Sequence, residues 1–291
     1  MMLRAGNALL GAACAALLLL ATWLLALHVT VFEHLDQSVF RGFYDLGQHG
    51  TVASIAAPMA GLCNPKPYVY LVGVPVLIAL ARRRFRLAVA IGAILLGANV
   101  TTELLKALLA QPRAAWLLGG VSPVDPASWP SGHATAVMSL ALCMILAVAP
   151  RLRPVTAALG AALAVAVSYS FLALGWHYPS DVLGGYLVAS TWTLLGVAAL
   201  RSTELRRRRP REEATGPSAS GRDRRVSLRA ALTPPGATLA LAVLLAGLLA
   251  VARPQEVDAY ARAHGAFMVG AAAIGLLALA LATGMMLALR R

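Results

Sequence analysis

Hydrophobic residues in this chain gather into long runs instead of alternating with polar ones. Eight apolar stretches can be read, at 8–32, 67–81, 87–109, 133–149, 155–174, 181–200, 236–252 and 263–289. About 20 apolar residues in a helix cross the hydrocarbon of a bilayer, so the pattern predicts an all-α, polytopic membrane bundle. It divides into a six-helix core over residues 1–200, a basic linker over 201–235 and a C-terminal two-helix hairpin over 236–291. The run from Thr51 to Cys63 is broken by Pro58 and then by Asn64-Pro65-Lys66-Pro67, and it reads as a surface or re-entrant helix. The first stretch follows Arg4, is longer than a signal-peptide core, and no small-residue cleavage site closes it, so it is expected to remain as an anchor.

Composition narrows the class. Of 291 residues, 59% are hydrophobic and 13% charged, with a mean hydropathy of +0.73. So much apolar surface excludes both an ordinary soluble domain and a disordered chain. The net charge of +13 would suggest nucleic acid in a soluble protein. Here the basic residues cap the apolar runs and no aromatic-interleaved patch accompanies them, so no nucleic-acid partner is expected.

Their distribution predicts an orientation. With the N-terminus in the cytoplasm, nineteen Lys and Arg fall on the cytoplasmic side and six on the other. Both termini are then cytoplasmic, as is the arginine-rich linker after Arg201. The loops around Lys106, Arg113, His133 and His177 face outward from a cell membrane. Cys14, Cys63 and Cys143 have no CxxC spacing, so neither a disulfide framework nor a zinc site is indicated.

Three short segments on that outer side concentrate the unusual residues. Lys106-x6-Arg113 closes the third run, and a lysine there either snorkels to the interface or binds something. Glu103, one turn earlier, is a candidate partner for it. Trp129-Pro130-Ser131-Gly132-His133 precedes the fourth run. Free N–H groups at a helix start cradle anions, with the Ser131 hydroxyl as an added donor; read alone, the same turn is a helix cap. Gly175-Trp176-His177-Tyr178-Pro179-Ser180-Asp181 opens the sixth. The four-residue spacing lets the Asp181 carboxylate reach one imidazole nitrogen of His177 and leaves the other for chemistry. No carboxylate cluster suited to Mg²⁺ accompanies these histidines.

Together the segments resemble the type 2 phosphatidic acid phosphatase superfamily, integral-membrane lipid phosphatases related to vanadium haloperoxidases. The family pattern is Lys-x6-Arg-Pro, Pro-Ser-Gly-His and Ser-Arg-x5-His-x3-Asp. This chain offers Lys106-x6-Arg113, Pro130-Ser131-Gly132-His133 and Ser170-x6-His177-x3-Asp181, in that order, within a resemblance covering about residues 30–200. It departs twice: Ala114 stands where the proline is expected, and Phe171 where the family has a phosphate-holding arginine.

The resemblance implies a metal-independent phosphomonoesterase or pyrophosphatase without a cofactor. His177 would be the nucleophile, Asp181 its orienting carboxylate and His133 the acid on the leaving oxygen. Lys106, Arg113, Ser131 and Gly132 would hold the phosphate. A lipid phosphomonoester or polyprenyl pyrophosphate is the expected substrate, with membrane lipids around it. A phosphotransferase to a lipid or sugar acceptor, and a non-catalytic lipid-phosphate binder suggested by Phe171, are the alternative readings.

Overall fold

The computed structural model describes residues 4–112, 124–212 and 227–290, and of 204–212 the backbone alone. All regular structure among the described residues is helical. In chain order the helices are α1 (Ala5–His28), α2 (Thr30–Gly47), α3 (Gly50–Gly61), α4 (Pro65–Ala81), α5 (Phe85–Leu109), α6 (Gly132–Ala147), α7 (Arg153–Ala173), α8 (Pro179–Glu212), α9 (Leu228–Ala252), α10 (Pro254–Ala263) and α11 (Gly265–Ala288).

Six of these, α1, α5, α7, α8, α9 and α11, are long and apolar enough to cross a membrane. The α3–α4 pair is bent by 56° and makes a seventh if taken as one broken span. Pro65 begins α4 and the Asn64 backbone before it is extended, which is how an X-Pro step interrupts a helix. The chain is thus a multi-pass membrane protein.

The short α6 is the axis of the bundle. Its 16 residues span about 24 Å, less than the roughly 30 Å of hydrocarbon. Nearly all its side chains are buried, because α4, α5, α7 and α8 surround it. Small residues set the close approaches around it. A Cβ on Gly160 of α7 would lie 2.9 Å from the Ala141 Cβ, and one on Gly196 of α8 would lie 2.5 Å from Ile94 of α5. The anchor α1 packs on α8 through Ala8, Ala12 and Ala15, the small-residue spacing that lets membrane helices meet closely, while its leucines face outward.

Three boundaries differ from the sequence reading. The first apolar run ends at His28; Val29 is extended, and a separate amphipathic helix, α2, follows. Its buried Val39, Phe40 and Phe43 pack toward the bundle while Glu33, Arg41 and Asp45 remain more open. The linker is shorter than 201–235, because α8 continues through a run of leucine and arginine, good helix formers, to Glu212. At its other end the Ser227 hydroxyl accepts the Ala230 N–H and starts α9 at Leu228. Within the C-terminal segment, α10 separates α9 from α11, and α11 lies chiefly along α7 and α2.

Candidate active site

Six helix termini meet at one end of the bundle: the two at the α3–α4 junction, the C-termini of α5 and α7, and the N-termini of α6 and α8. Arginines mark the opposite end. Arg82 donates to the Ala147 carbonyl at the end of α6 over 2.6 Å, and Arg153 to the Leu289 carbonyl after α11 over 2.7 Å.

At the site, α7 stops in a Schellman turn. The Gly175 N–H bonds to the Leu172 carbonyl and the Trp176 N–H to the Phe171 carbonyl, both over 3.0 Å. Gly175 supplies the left-handed backbone this requires, φ +74°. Reversed by that turn, the chain delivers His177 directly before α8. One oxygen of the fully buried Asp181 carboxylate, Oδ2, accepts both the Tyr178 N–H, over 2.9 Å, and His177 Nδ1, 3.3 Å away. The i, i+4 pairing expected from the spacing is therefore present. It engages Nδ1 and leaves Nε2 as the nitrogen away from the carboxylate.

The Trp129–Ser131 loop is fastened to the same helix. Ser131 N–H donates to the Asp181 carbonyl over 2.9 Å, and the Ser131 hydroxyl accepts the Ala134 N–H to cap α6. Gly184 and Gly185 permit the approach: a Cβ on Gly185 would lie 2.6 Å from the Ser131 oxygen and 2.8 Å from the Thr135 nitrogen. Ser131 is wholly buried, and its hydroxyl, as acceptor of the Ala134 N–H, caps the helix. Gly132 and His133, partly open, are the residues this cap presents.

His133 and His177 face one another with ring centroids 6.1 Å apart. A contact invisible to motif reading fixes His133: its Nε2 lies 3.0 Å from Asn64 Oδ1 at the break between α3 and α4. Lys106 completes the cluster. Its Nζ donates to Glu103 over 2.8 Å and would sit 3.1 Å from a Cβ on Gly132, so any side chain at that position would crowd the ammonium. A Thr102–Thr135 hydrogen bond of 2.9 Å, one turn below Lys106, holds α5 in register against α6. Arg113, also expected at the phosphate, lies outside the described residues, as does Ala114.

Phe171 occupies the third side. Wholly buried, its ring lies 5.1 Å from that of His177 and 5.9 Å from that of His133. The sequence departure therefore sits beside both histidines and places an apolar ring where the resemblance leads one to expect an arginine. Trp176 adds an aromatic face 5.5 Å from His133.

From His133 and Lys106 a groove of about 540 Å³ runs between α4, α5 and α6, past Asn99, Tyr68 and Leu95 to Gly92. Gly92 and Lys106 are fourteen residues apart on α5, so the groove descends about 21 Å along the helix. Its walls are mainly apolar. Among the described residues, no three His, Cys, Asp or Glu side chains converge as a cation site.

No curated protein and no solved structure matches the chain significantly. A family model, that of the PAP2 superfamily, matches residues 87–204. That segment holds Lys106, His133, His177 and Asp181, the groups that the fold gathers at one end of the bundle, and over it the chain is similar to the PAP2 superfamily.

Proposed function

We propose that the protein is a membrane lipid phosphatase that hydrolyses a lipid phosphomonoester or polyprenyl pyrophosphate at the extracytoplasmic face through a phosphohistidine. The similarity of residues 87–204 to the PAP2 superfamily supports a hydrolase of phosphate esters. The observation that carries the finer reading is the juxtaposition of a carboxylate-backed His177 with a second histidine, 6.1 Å away between centroids, and with Lys106.

In this mechanism the Nε2 lone pair of His177 attacks phosphorus while the bond from phosphorus to the ester oxygen breaks. His133, protonated, gives its proton to that leaving oxygen. Asp181 keeps the His177 proton on Nδ1 and stabilises the cation formed when Nε2 becomes phosphorylated. A water then attacks phosphorus, the P–N bond breaks back to His177, and neutral His133 takes the water's proton. Lys106, Arg113 and the free amides of the first turn of α6, starting with Gly132, neutralise charge on the equatorial oxygens, the largest task in phosphoryl transfer. The groups that meet the phosphate are histidines, cations and amides, and the carboxylate behind them, Asp181, is engaged by His177 and the Tyr178 N–H, which favours metal-independent chemistry.

Two features support a lipid as substrate. The site lies where helix ends meet, and the apolar groove leaves it along α5, a path for a chain whose headgroup is held by Lys106 and His133. The distribution of arginines, with Arg82 and Arg153 at the far end, supports a site on the extracytoplasmic side.

Phosphate release from a panel of lipid phosphates, assayed with excess chelator, tests the proposal. Activity should persist in chelator and vanish in His177→Ala. Activity that survives that substitution, or that requires added metal, would overturn it. Phe171 favours a second reading, a lipid-phosphate binder without turnover; it prevails if the wild type binds but does not hydrolyse and Phe171→Arg does hydrolyse.

A further inference from the structure

The turn that carries His177 is gripped from outside the family-matched segment. Asp36, on the amphipathic helix α2, directs both carboxylate oxygens at Ser180: Oδ1 accepts the Ser180 N–H over 2.8 Å and Oδ2 the Ser180 hydroxyl over 2.6 Å. Ser180 is the second residue of α8 and lies between His177 and Asp181 in sequence. Its N–H is one of the four that a helix leaves unsatisfied at its start, and the positive end of a helix favours a carboxylate there. Asp36 thus caps α8 from 144 residues away. Both partners are buried, Asp36 at 8% exposure and Ser180 at 5%. One turn along α2, Phe40 packs on Tyr178 with ring centroids 4.8 Å apart. His177 is therefore flanked by two carboxylates with different tasks, Asp181 on the imidazole itself and Asp36 on the backbone that aims it.

We propose that Asp36 is a positioning residue for the reaction: by clamping Ser180 it fixes the 177–181 turn so that the His177 imidazole meets the phosphate in line, which makes α2 part of the catalytic apparatus. The inference rests on the reading of His177 as nucleophile. Misplacement of a reacting atom by about 1 Å costs a large factor in rate while substrate binding, made elsewhere by Lys106 and the groove, changes little.

Two measurements on the full-length protein test it. In steady-state hydrolysis of a dispersed lipid phosphate, Asp36→Ala should lower kcat by about tenfold or more with KM changed less than about threefold. Asp36→Asn, whose amide oxygen still accepts the Ser180 N–H, should recover most of that loss. Separately, diethyl pyrocarbonate labelling read by peptide mass spectrometry should show His177 reacting about threefold faster or more in Asp36→Ala, with the exposed His49 unchanged as control. Wild-type kcat in folded Asp36→Ala, a loss carried by KM, or equal His177 labelling would each overturn the proposal. If Asp36→Ala does not fold, Ser180→Ala, which keeps the backbone bond, should give the same two changes at smaller size; wild-type behaviour of that variant would then overturn it. Labelling needs no turnover. A chain inactive in wild type but showing the labelling change would refute the phosphatase reading and leave the clamp standing.

Discussion

Phe171 stands edge-on to His177, ring centroids 5.1 Å apart and planes at 77°, while its other side reaches toward His133. The Schellman turn explains why this residue cannot avoid the site: its own carbonyl accepts the Trp176 N–H, so the bend that delivers His177 also pins Phe171 beside it. An aromatic ring there dries and braces the imidazole but gives nothing to a phosphate. Phe171→Arg should supply a charge-assisted donor and tighten inhibition by orthovanadate or inorganic phosphate by about tenfold. Inhibition constants of the two proteins, measured side by side, provide the check; no change would show that the position does not face the anion.

The Asp181 carboxylate accepts two hydrogen bonds, so its replacement should be felt in rate more than in binding. Asp181→Asn turns one acceptor oxygen into a donor group and forfeits control of the His177 tautomer. We expect kcat to fall by about 10²–10⁴, as is usual when an orienting carboxylate is neutralised, with KM little altered. Single-turnover release of phosphate would separate this from a change in product release.

The close approach of α8 to the Trp129–Ser131 loop depends on two hydrogen-sized side chains. Gly185→Ala would put a methyl group 2.6 Å from the Ser131 carbonyl oxygen, a backbone atom that cannot swing aside. The α6 cap and the His133–His177 spacing should both suffer, at a cost of about 1–3 kcal/mol. A lowered melting temperature and reduced turnover are expected together. Gly50→Ala, where a Cβ has open space, should leave both unchanged.

How far the sequence reveals all this depends on where each residue sits. Lys106, Ser131, Gly132, His133, His177 and Asp181 lie at helix ends within short linear patterns, and helix ends are where capping residues and free amides show in a sequence. The apolar runs are legible for a similar reason, since lipid selects composition directly. Helix α2 is not, because Glu33, Asp36, Gln37, Arg41 and Asp45 interrupt its hydrophobicity; the signal it does carry is the three-to-four spacing of Phe32, Asp36, Val39, Phe40 and Phe43. Asn64 and Asp36 reach the site across 69 and 144 residues, and separations of that size are set by tertiary packing, which no local pattern encodes. Asn64 appears in the sequence only as the start of a proline-rich break.

The C-terminal segment is tied to α2 through His264, whose Nε2 lies 2.9 Å from Asp45 Oδ2, while Tyr260 stacks on the same imidazole at 4.3 Å and donates its hydroxyl to the Gly42 carbonyl. His264→Ala should loosen α10 and α11 from α2 at a cost of about 1 kcal/mol, because Asp45 is partly solvated. A double-mutant cycle with Asp45→Asn, read by thermal unfolding in detergent, should be less than additive. Full additivity would mean that the pair does not couple.

The groove beside the histidines gives the strictest test of a lipid substrate. Gly92 lines its deep end, and a Cβ there meets nothing within 4 Å, so the backbone has room to carry a side chain at the groove. Gly92→Leu should fold normally, since leucine favours helix over glycine by nearly 1 kcal/mol. It should nonetheless obstruct a long chain lying between α4 and α5. The expectation is a raised KM for long-chain lipid phosphates, by about tenfold if two methylenes lose contact at about 0.8 kcal/mol each, with no change for a short, water-soluble phosphomonoester that stops at Lys106. A variant that slows both substrates equally would place the tail elsewhere; one that slows neither would show that the groove stays empty during turnover.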